Sequence, residues 1–245
     1  QLDVAGIGVN CFGSAIANWK CSVFDDFADT IRAVERTIPR MQRLGSTLIR
    51  IMSYRVEHEA PGYSDQDQQA QERFRRMREI VARFRDAGIQ PVHENCMNYG
   101  GMGPAHSLRL LEAVPDLRLV FDTGNPVFTR AYEHSDPERR QDAWEFYAQV
   151  KDHIAYVHIK DGIWDPESRK CTYTWPGEGQ GQVERIVGDL LANGYDGGFS
   201  MEPHLQVVFH EGDNQDAKAE ARKQAYIEYG RRFVRLLERI GHPVA

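Results

Sequence analysis

Short apolar runs rich in β-branched residues alternate with longer amphipathic segments along the whole chain, and this rhythm leaves few folds open. The runs at 6–10, 47–53, 90–94, 118–122, 154–160 and 198–202 read as six strands. The segments at about 25–44, 65–87, 104–114, 137–151, 181–193 and 216–240 read as helices, so each strand precedes one helix. Gly45, Gly88 and Gly194 stand where the first, second and fifth helices must stop, and Ser135-Asp136-Pro137 reads as the start of the fourth. Strictly alternating βα units make a parallel sheet. With no Pro/Ser-rich linker or low-complexity tract, residues 1–245 read as a single α/β domain.

The position of the polar residues on these strands separates an open doubly wound sheet from a closed barrel. They gather at the C-terminal ends: Arg50 and Ser53, Glu94 and Asn95, Asp122, His158 with Lys160 and Asp161, and Glu202 with His204. An open sheet collects its site at one switch point, whereas a barrel is ringed by residues from nearly every βα end. The expected fold is therefore a (β/α)8 TIM barrel. Such a barrel needs eight strands and six are read, so about two N-terminal βα units of ~30 residues each are missing from the count. Gln1 is not an initiator Met and Leu2 to Gly6 opens in mid-pattern, which makes an N-terminally incomplete barrel the expectation, with an open six-stranded sheet as the alternative.

Charge and composition exclude several classes of partner. Thirty basic residues against 36 acidic ones leave a formal charge of -6, so there is no net positive field to draw in nucleic acid or an anionic membrane. No apolar run approaches the ~20 residues of a membrane span, and the first residues lack the layout of a signal peptide. Cys11, Cys21, Cys96 and Cys171 are too scattered for a disulfide scaffold or a zinc site, which points to a reducing cytoplasm. A homo-oligomer is left open.

Four strand ends carry metal-ligand chemistry: Glu94 in PVHEN, Asp122 in LVFDTGN, His158 in YVHIKD and Glu202 in SMEPH. Three carboxylates and one imidazole suit one hard or borderline divalent ion, Mn²⁺ first, with Mg²⁺ or Co²⁺ as alternatives, and lack the thiolates of structural zinc. Each closes an apolar run, where a carboxylate left without a cation or hydrogen bonds is costly to bury. Singly, each would read as a helix cap or a solvated turn residue; their recurrence on successive strands is the signal.

The ordered series HEN, FDTGN, VHIKDG, the glycine-rich PGEGQG at 176–181 and SMEPHL at 200–205 resembles the xylose-isomerase-like TIM-barrel superfamily of sugar phosphate isomerases and epimerases. The inosose dehydratase, tagatose epimerase and hydroxypyruvate isomerase branches look nearest. The resemblance implies a divalent metal held by Glu94, Asp122, His158 and Glu202, and a keto-sugar or keto-polyol substrate. It also implies that Glu94 and Glu202 exchange a proton with the carbon next to the carbonyl, through an enediolate stabilised by the metal.

Departures from the epimerase pattern keep a lyase in view. Asn125 stands where that branch usually carries a His, and Lys160 with Asp161 follows His158 where it tends to place an Arg further on. Lys160 with Asp161, and His204 in EPHL, resemble the inosose dehydratase branch. Lys160 and His204 are thus catalytic candidates beside Glu94 and Glu202, as the acid behind a leaving group; as plain residues Lys160 reads as a surface lysine or a salt-bridge partner of Asp161, and His204 as a loop histidine. The candidate substrate-binding residues are Arg50, Asn95, Asn125, Asp161 and Trp164. Arg50 reads equally as a fork for a substrate oxygen or phosphate and as a partner of Glu94. Ser14 and Tyr54 are further hydrogen-bonding candidates, and Trp19, Trp164 and Trp175 are candidate sugar platforms or ordinary loop packing.

Other motifs read as structural. His93 should point away from the strand ends, YGGMG at 99–103 lacks the GKS/T of a phosphate loop, and the Arg-rich 72–85 reads as a solvated outer helix. The amides of PGEGQG, just ahead of a helix, offer a weak anion signal. A non-catalytic sugar-binding barrel is the rival from another class. An abasic-site endonuclease would need a richer His and carboxylate set and a basic groove.

Overall fold

The computed structural model describes residues 2–59, 64–205 and 215–243. One sheet has the hydrogen-bonded strand order β1-β2-β3-β4-β5-β8, formed by β1 (Cys11–Gly13), β2 (Leu48–Ile51), β3 (Gln90–Glu94), β4 (Arg118–Asp122), β5 (Ile154–Ile159) and β8 (Phe199–Met201). The pairs β1·β2, β2·β3, β3·β4 and β5·β8 are all parallel. Among the described residues this sheet has six strands. A separate antiparallel hairpin, β6 (Gly162–Asp165) with β7 (Lys170–Tyr173), follows β5.

The helices are α1 (Phe27–Leu44), α2 (Ala70–Asp86), α3 (Pro104–Ala113), the one-turn α4 (Asn125–Phe128), α5 (Ala143–Val150), α6 (Val183–Ala192) and α7 (Gln215–Arg239). Their ends follow local chemistry. Asp26 caps α1 by accepting the Ala28 amide at 3.0 Å, and Gly45 ends it in the left-handed region at φ 68°. Asp142, and not the Ser135-Asp136-Pro137 stretch, starts the fourth long helix: its carboxylate accepts the Glu145 amide at 2.8 Å. No helix among the described residues is long and apolar enough to cross a membrane.

Two expectations shift. The first strand is not 6–10 but Cys11–Gly13, set in register by Cys11 opposite Leu48; Ile7 in the expected run is 58% exposed, and Gly6 turns at φ 65°. The arginine-rich helix is not wholly solvated, because Arg73 is fully buried and Arg76 is buried too. Arg73 Nη2 donates to Gln68 O at 2.8 Å, Nη1 donates to Ser53 O, and the guanidinium lies 5.0 Å over the Tyr99 ring. Burial pulls its pKa down to about 10.

The chain divides into two compact units. The first comprises Gln1–Val120, Ala131–Pro137 and Asp152–Tyr156. Its core joins Ile49 and Ile51 of β2 to Met41 of α1 and to Met77, Ile80, Val81 and Phe84 of α2, while Val92, Val120 and Tyr156 form a separate small cluster. The second comprises Phe121–Arg130, Glu138–Lys151 and Val157–Ala245. There Phe121 packs edge-on against Phe146 and Tyr147 of α5 at 5.7 and 5.8 Å, and Phe199 packs against Phe233 of α7 at 5.5 Å.

Candidate metal centre

Strand alternation decides which side chains reach the site. Successive residues of a strand face opposite ways, so Glu94 shares a face with Val92, Asp122 with Val120, and His158 with Tyr156. Those three partners form the small inner cluster, and each ligand candidate stands two residues beyond its member of it. The intervening His93 faces the other way. It is fully buried, with Nε2 3.0 Å from Ser53 Oγ and 2.8 Å from Asn98 Oδ1, and burial pulls its pKa down to about 4.

In the first unit Glu94 is buried and forms an ion pair with Arg50, Nη1 to Oε2 at 2.5 Å. Arg50 Nη2 donates to Ser14 O at 3.1 Å, and Ser14 Oγ donates to Arg50 O at 2.6 Å, so the end of β1 fixes the guanidinium. Of the two readings of Arg50, partner of Glu94 or fork for a substrate, the structure displays the first. Asn95 is buried directly after Glu94.

In the second unit Asp122 Oδ1 accepts the amides of Gly124 and Asn125, both at 2.8 Å, and Oδ2 lies 2.8 Å from Lys160 Nζ. Asn125 is buried and opens α4. The Glu202 amide donates to Ile159 O at 3.0 Å, which places Glu202 beside the end of β5. Its carboxylate stands 3.1 Å from His158 Nδ1, 3.4 Å from Lys160 Nζ and 3.8 Å from His204 Nε2. Burial opposes ionisation of Glu202, but His158, His204 and the Lys160 charge together outweigh it and hold the carboxyl well below the usual carboxylate range. Lys160 is therefore a buried member of this cluster and not a surface lysine.

Within the second unit, one ligand atom from each of Asp122, His158 and Glu202 lies within 4.8 Å of the others. That spacing, with two carboxylates and an imidazole and no thiolate, fits a hard or borderline divalent ion.

The remaining candidates lie around this cluster in different ways. Both oxygens of Asp161 are turned to the glycine-rich loop: Oδ1 accepts the amides of Gly162 and Gly181 at 2.8 Å, and Oδ2 those of Gly177 and Gly179 at 2.9 and 3.0 Å. Burial pushes its carboxyl up, against these four amides. The loop's anion-binding amides are thus committed to an internal carboxylate, which answers the phosphate signal read from PGEGQG. Trp164 carries the Arg140 guanidinium 3.7 Å over its ring, and Trp175 carries that of Arg232 at 4.2 Å, so both are loop-packing rings. Likewise the YGGMG segment forms a buried turn whose Gly100 amide donates to Ser53 Oγ at 2.9 Å.

Sequence reasoning missed Tyr173, on the β6–β7 hairpin. Its ring stacks on His204 at 4.8 Å and 24°, and packs edge-on to Phe128 at 4.8 Å. Burial pushes its phenol up, with Lys160, Asp122 and Glu202 among the charges acting on it. The available signal was Asp165-Pro166-Glu167-Ser168, a turn sequence between two short β-type runs.

The sequence pattern of the xylose isomerase-like TIM barrel family matches residues 1–241. The chain belongs to this family. Among curated proteins no sequence match is found. Solved structures with the same fold include a xylose isomerase-like TIM barrel protein from Mycobacterium smegmatis in complex with magnesium, at 19% identity and a TM-score of 0.63 over 93% of this chain and 75% of that one. A probable 3-DHS dehydratase from Bacillus anthracis aligns at 16% identity and a TM-score of 0.60, over 93% of this chain and 78% of that one. A 3-keto-D-glucoside 4-epimerase from E. coli aligns at 13% identity and a TM-score of 0.60, over 94% and 81%.

Proposed function

We propose that this chain, read as one barrel domain, is a divalent-metal-dependent isomerase or epimerase of a keto-sugar or keto-polyol. The observation that carries this reading is the convergence of Asp122, His158 and Glu202 within 4.8 Å, with Glu94 closing β3 as the fourth candidate ligand. A divalent ion held by these residues would supply electrophilic polarisation of a substrate carbonyl. The protein's own groups then move the proton. Glu202, held ionised beside His158 and Lys160, accepts the proton from the carbon next to the carbonyl, and Glu94, after taking up a proton from solvent, delivers it to that carbon and is left ionised beside Arg50, while Glu202 releases its proton to solvent. Arg50 orients Glu94 through their ion pair, and Tyr173 with His204 walls one side of Glu202. The E. coli epimerase among the solved structures supports this substrate class.

A second reading is favoured by the two proton-carrying side chains, Lys160 and His204, gathered on Glu202. Lys160 at 3.4 Å and His204 at 3.8 Å are placed to protonate a departing hydroxyl, which would turn the same proton abstraction into β-elimination. The similarity to a probable dehydratase goes with it. Keto-sugars and keto-polyols incubated in deuterated buffer with the Mn²⁺-loaded protein separate the two. Deuterium entering the carbon next to the ketone without loss of water is the result expected of the isomerase or epimerase, a new enone absorbing in the ultraviolet is that of the lyase, and binding without either is that of a sugar-binding barrel.

A further inference from the structure

Lys160 is restrained beyond what a loop lysine needs. Its amide donates to Thr123 Oγ1 at 3.2 Å and its carbonyl accepts from the same hydroxyl at 2.6 Å, so one side chain clamps both faces of its backbone. Its stem runs over Gly124, where an added Cβ would meet Lys160 Cγ at 2.8 Å and Lys160 Cβ at 3.0 Å. The ammonium ends 2.8 Å from Asp122 Oδ2 and 3.4 Å from Glu202 Oε2, with the side chain only 8% exposed. Because Asp122 Oδ1 is committed to two amides, the oxygen that Lys160 meets is the one left to face a cation.

From this geometry we infer that Lys160 is a resident competitor for the divalent ion: its ammonium shares Asp122 and Glu202 with the metal and lowers the affinity of the centre for it. The inference rests on the metal-centre reading above. Two cations drawn to the same pair of carboxylates repel one another, and burial leaves that repulsion weakly screened. The sign of the effect sets a competitor apart from a supporting group. Removing a neighbour that merely orients ligands costs about 10–100-fold in metal affinity, whereas removing a competing charge raises it.

The test is calorimetric titration of Mn²⁺ into chelator-treated wild-type protein, Lys160→Met, Lys160→Gln and Asp122→Ala, with circular dichroism to establish that each is folded. Met keeps the length of the stem without the charge, and Gln decides the matter if Met at this position prevents folding. The expected result is binding at least about tenfold tighter in the folded lysine variants than in wild type, the lower end of the range over which outer-sphere groups act, with binding lost in Asp122→Ala. Unchanged or weaker binding in the lysine variants, beside a wild type that binds and an Asp122→Ala that does not, overturns the inference and leaves the metal centre standing. No binding in wild type and lysine variants alike overturns the metal-centre reading and this inference with it.

Discussion

Asp161 ties the glycine-rich loop to the end of β5, and the cost of releasing it can be worked out amide by amide. Its four donors are not equivalent: Gly162 and Gly181, on Oδ1, are buried, while Gly177 on Oδ2 is exposed and Gly179 is half-buried. In Asp161→Ala the outer pair regains hydrogen bonds to water, but the inner pair is left without an acceptor. At about 1–3 kcal/mol for each buried donor so stranded, the variant should lose about 2–6 kcal/mol of stability. Asp161→Asn keeps one carbonyl oxygen, which in place of Oδ1 still serves both inner amides, while its Nδ2 cannot accept from the outer pair, which turns to water, so it should lose less than Ala does. Equilibrium urea denaturation followed by circular dichroism measures both. An Asp161→Ala protein within about 0.5 kcal/mol of wild type, or an Asn variant as costly as Ala, would refute the assignment of the loop's stability to this carboxylate.

Three further outcomes follow from the same geometry. Burial, reinforced by Arg109, pulls His106 from 6.5 down to about 4, so below pH 6.5 the unfolded chain takes up a proton that the folded chain refuses. Stability should be full above pH 6.5 and fall by up to about 3 kcal/mol toward pH 4; denaturation midpoints across that range should flatten in His106→Gln, and an unchanged slope would contradict the assignment. Gly124→Ala drives a Cβ to within 2.8 Å of Lys160 Cγ and 3.0 Å of the Lys160 carbonyl carbon, so melting should reveal a loss of about 1–3 kcal/mol. Glu202→Gln should lower solvent-proton exchange into a keto-sugar by at least about 100-fold with the fold intact by circular dichroism, and full activity would remove Glu202 from the reaction.

Much of the fold can be read from the chain because its strands close with polar residues while their interiors stay apolar. β3 and β4 coincide with the expected 90–94 and 118–122, and β2, β5 and β8 fall inside their expected runs. The first strand does not, since two glycines in 6–10 weaken the extended run and pairing with Leu48 fixes the register later. The β6–β7 hairpin escaped because its strands are four residues each and sit inside what reads as one βα loop. At the site, residue type and strand position pointed to Glu94, Asp122, His158 and Glu202. What neighbours them did not follow from the sequence. The clamp of Thr123 on Lys160, the turn of Asp161 toward its loop and the stacking of Tyr173 on His204 depend on segments distant in the chain meeting in space, and no local pattern encodes that. The burial of Arg73 is similar: its helix has an ordinary amphipathic pattern, and only the carbonyls of Gln68 and Ser53 make a guanidinium tolerable inside.

The most direct measurement is the metal content of the protein after loading with Mn²⁺ and exhaustive dialysis, wild type beside Asp122→Ala. About one ion per chain in wild type and none in the variant is the result expected if Glu94, Asp122, His158 and Glu202 hold a single divalent cation. The same content in both proteins, or no retained ion in wild type, would contradict it.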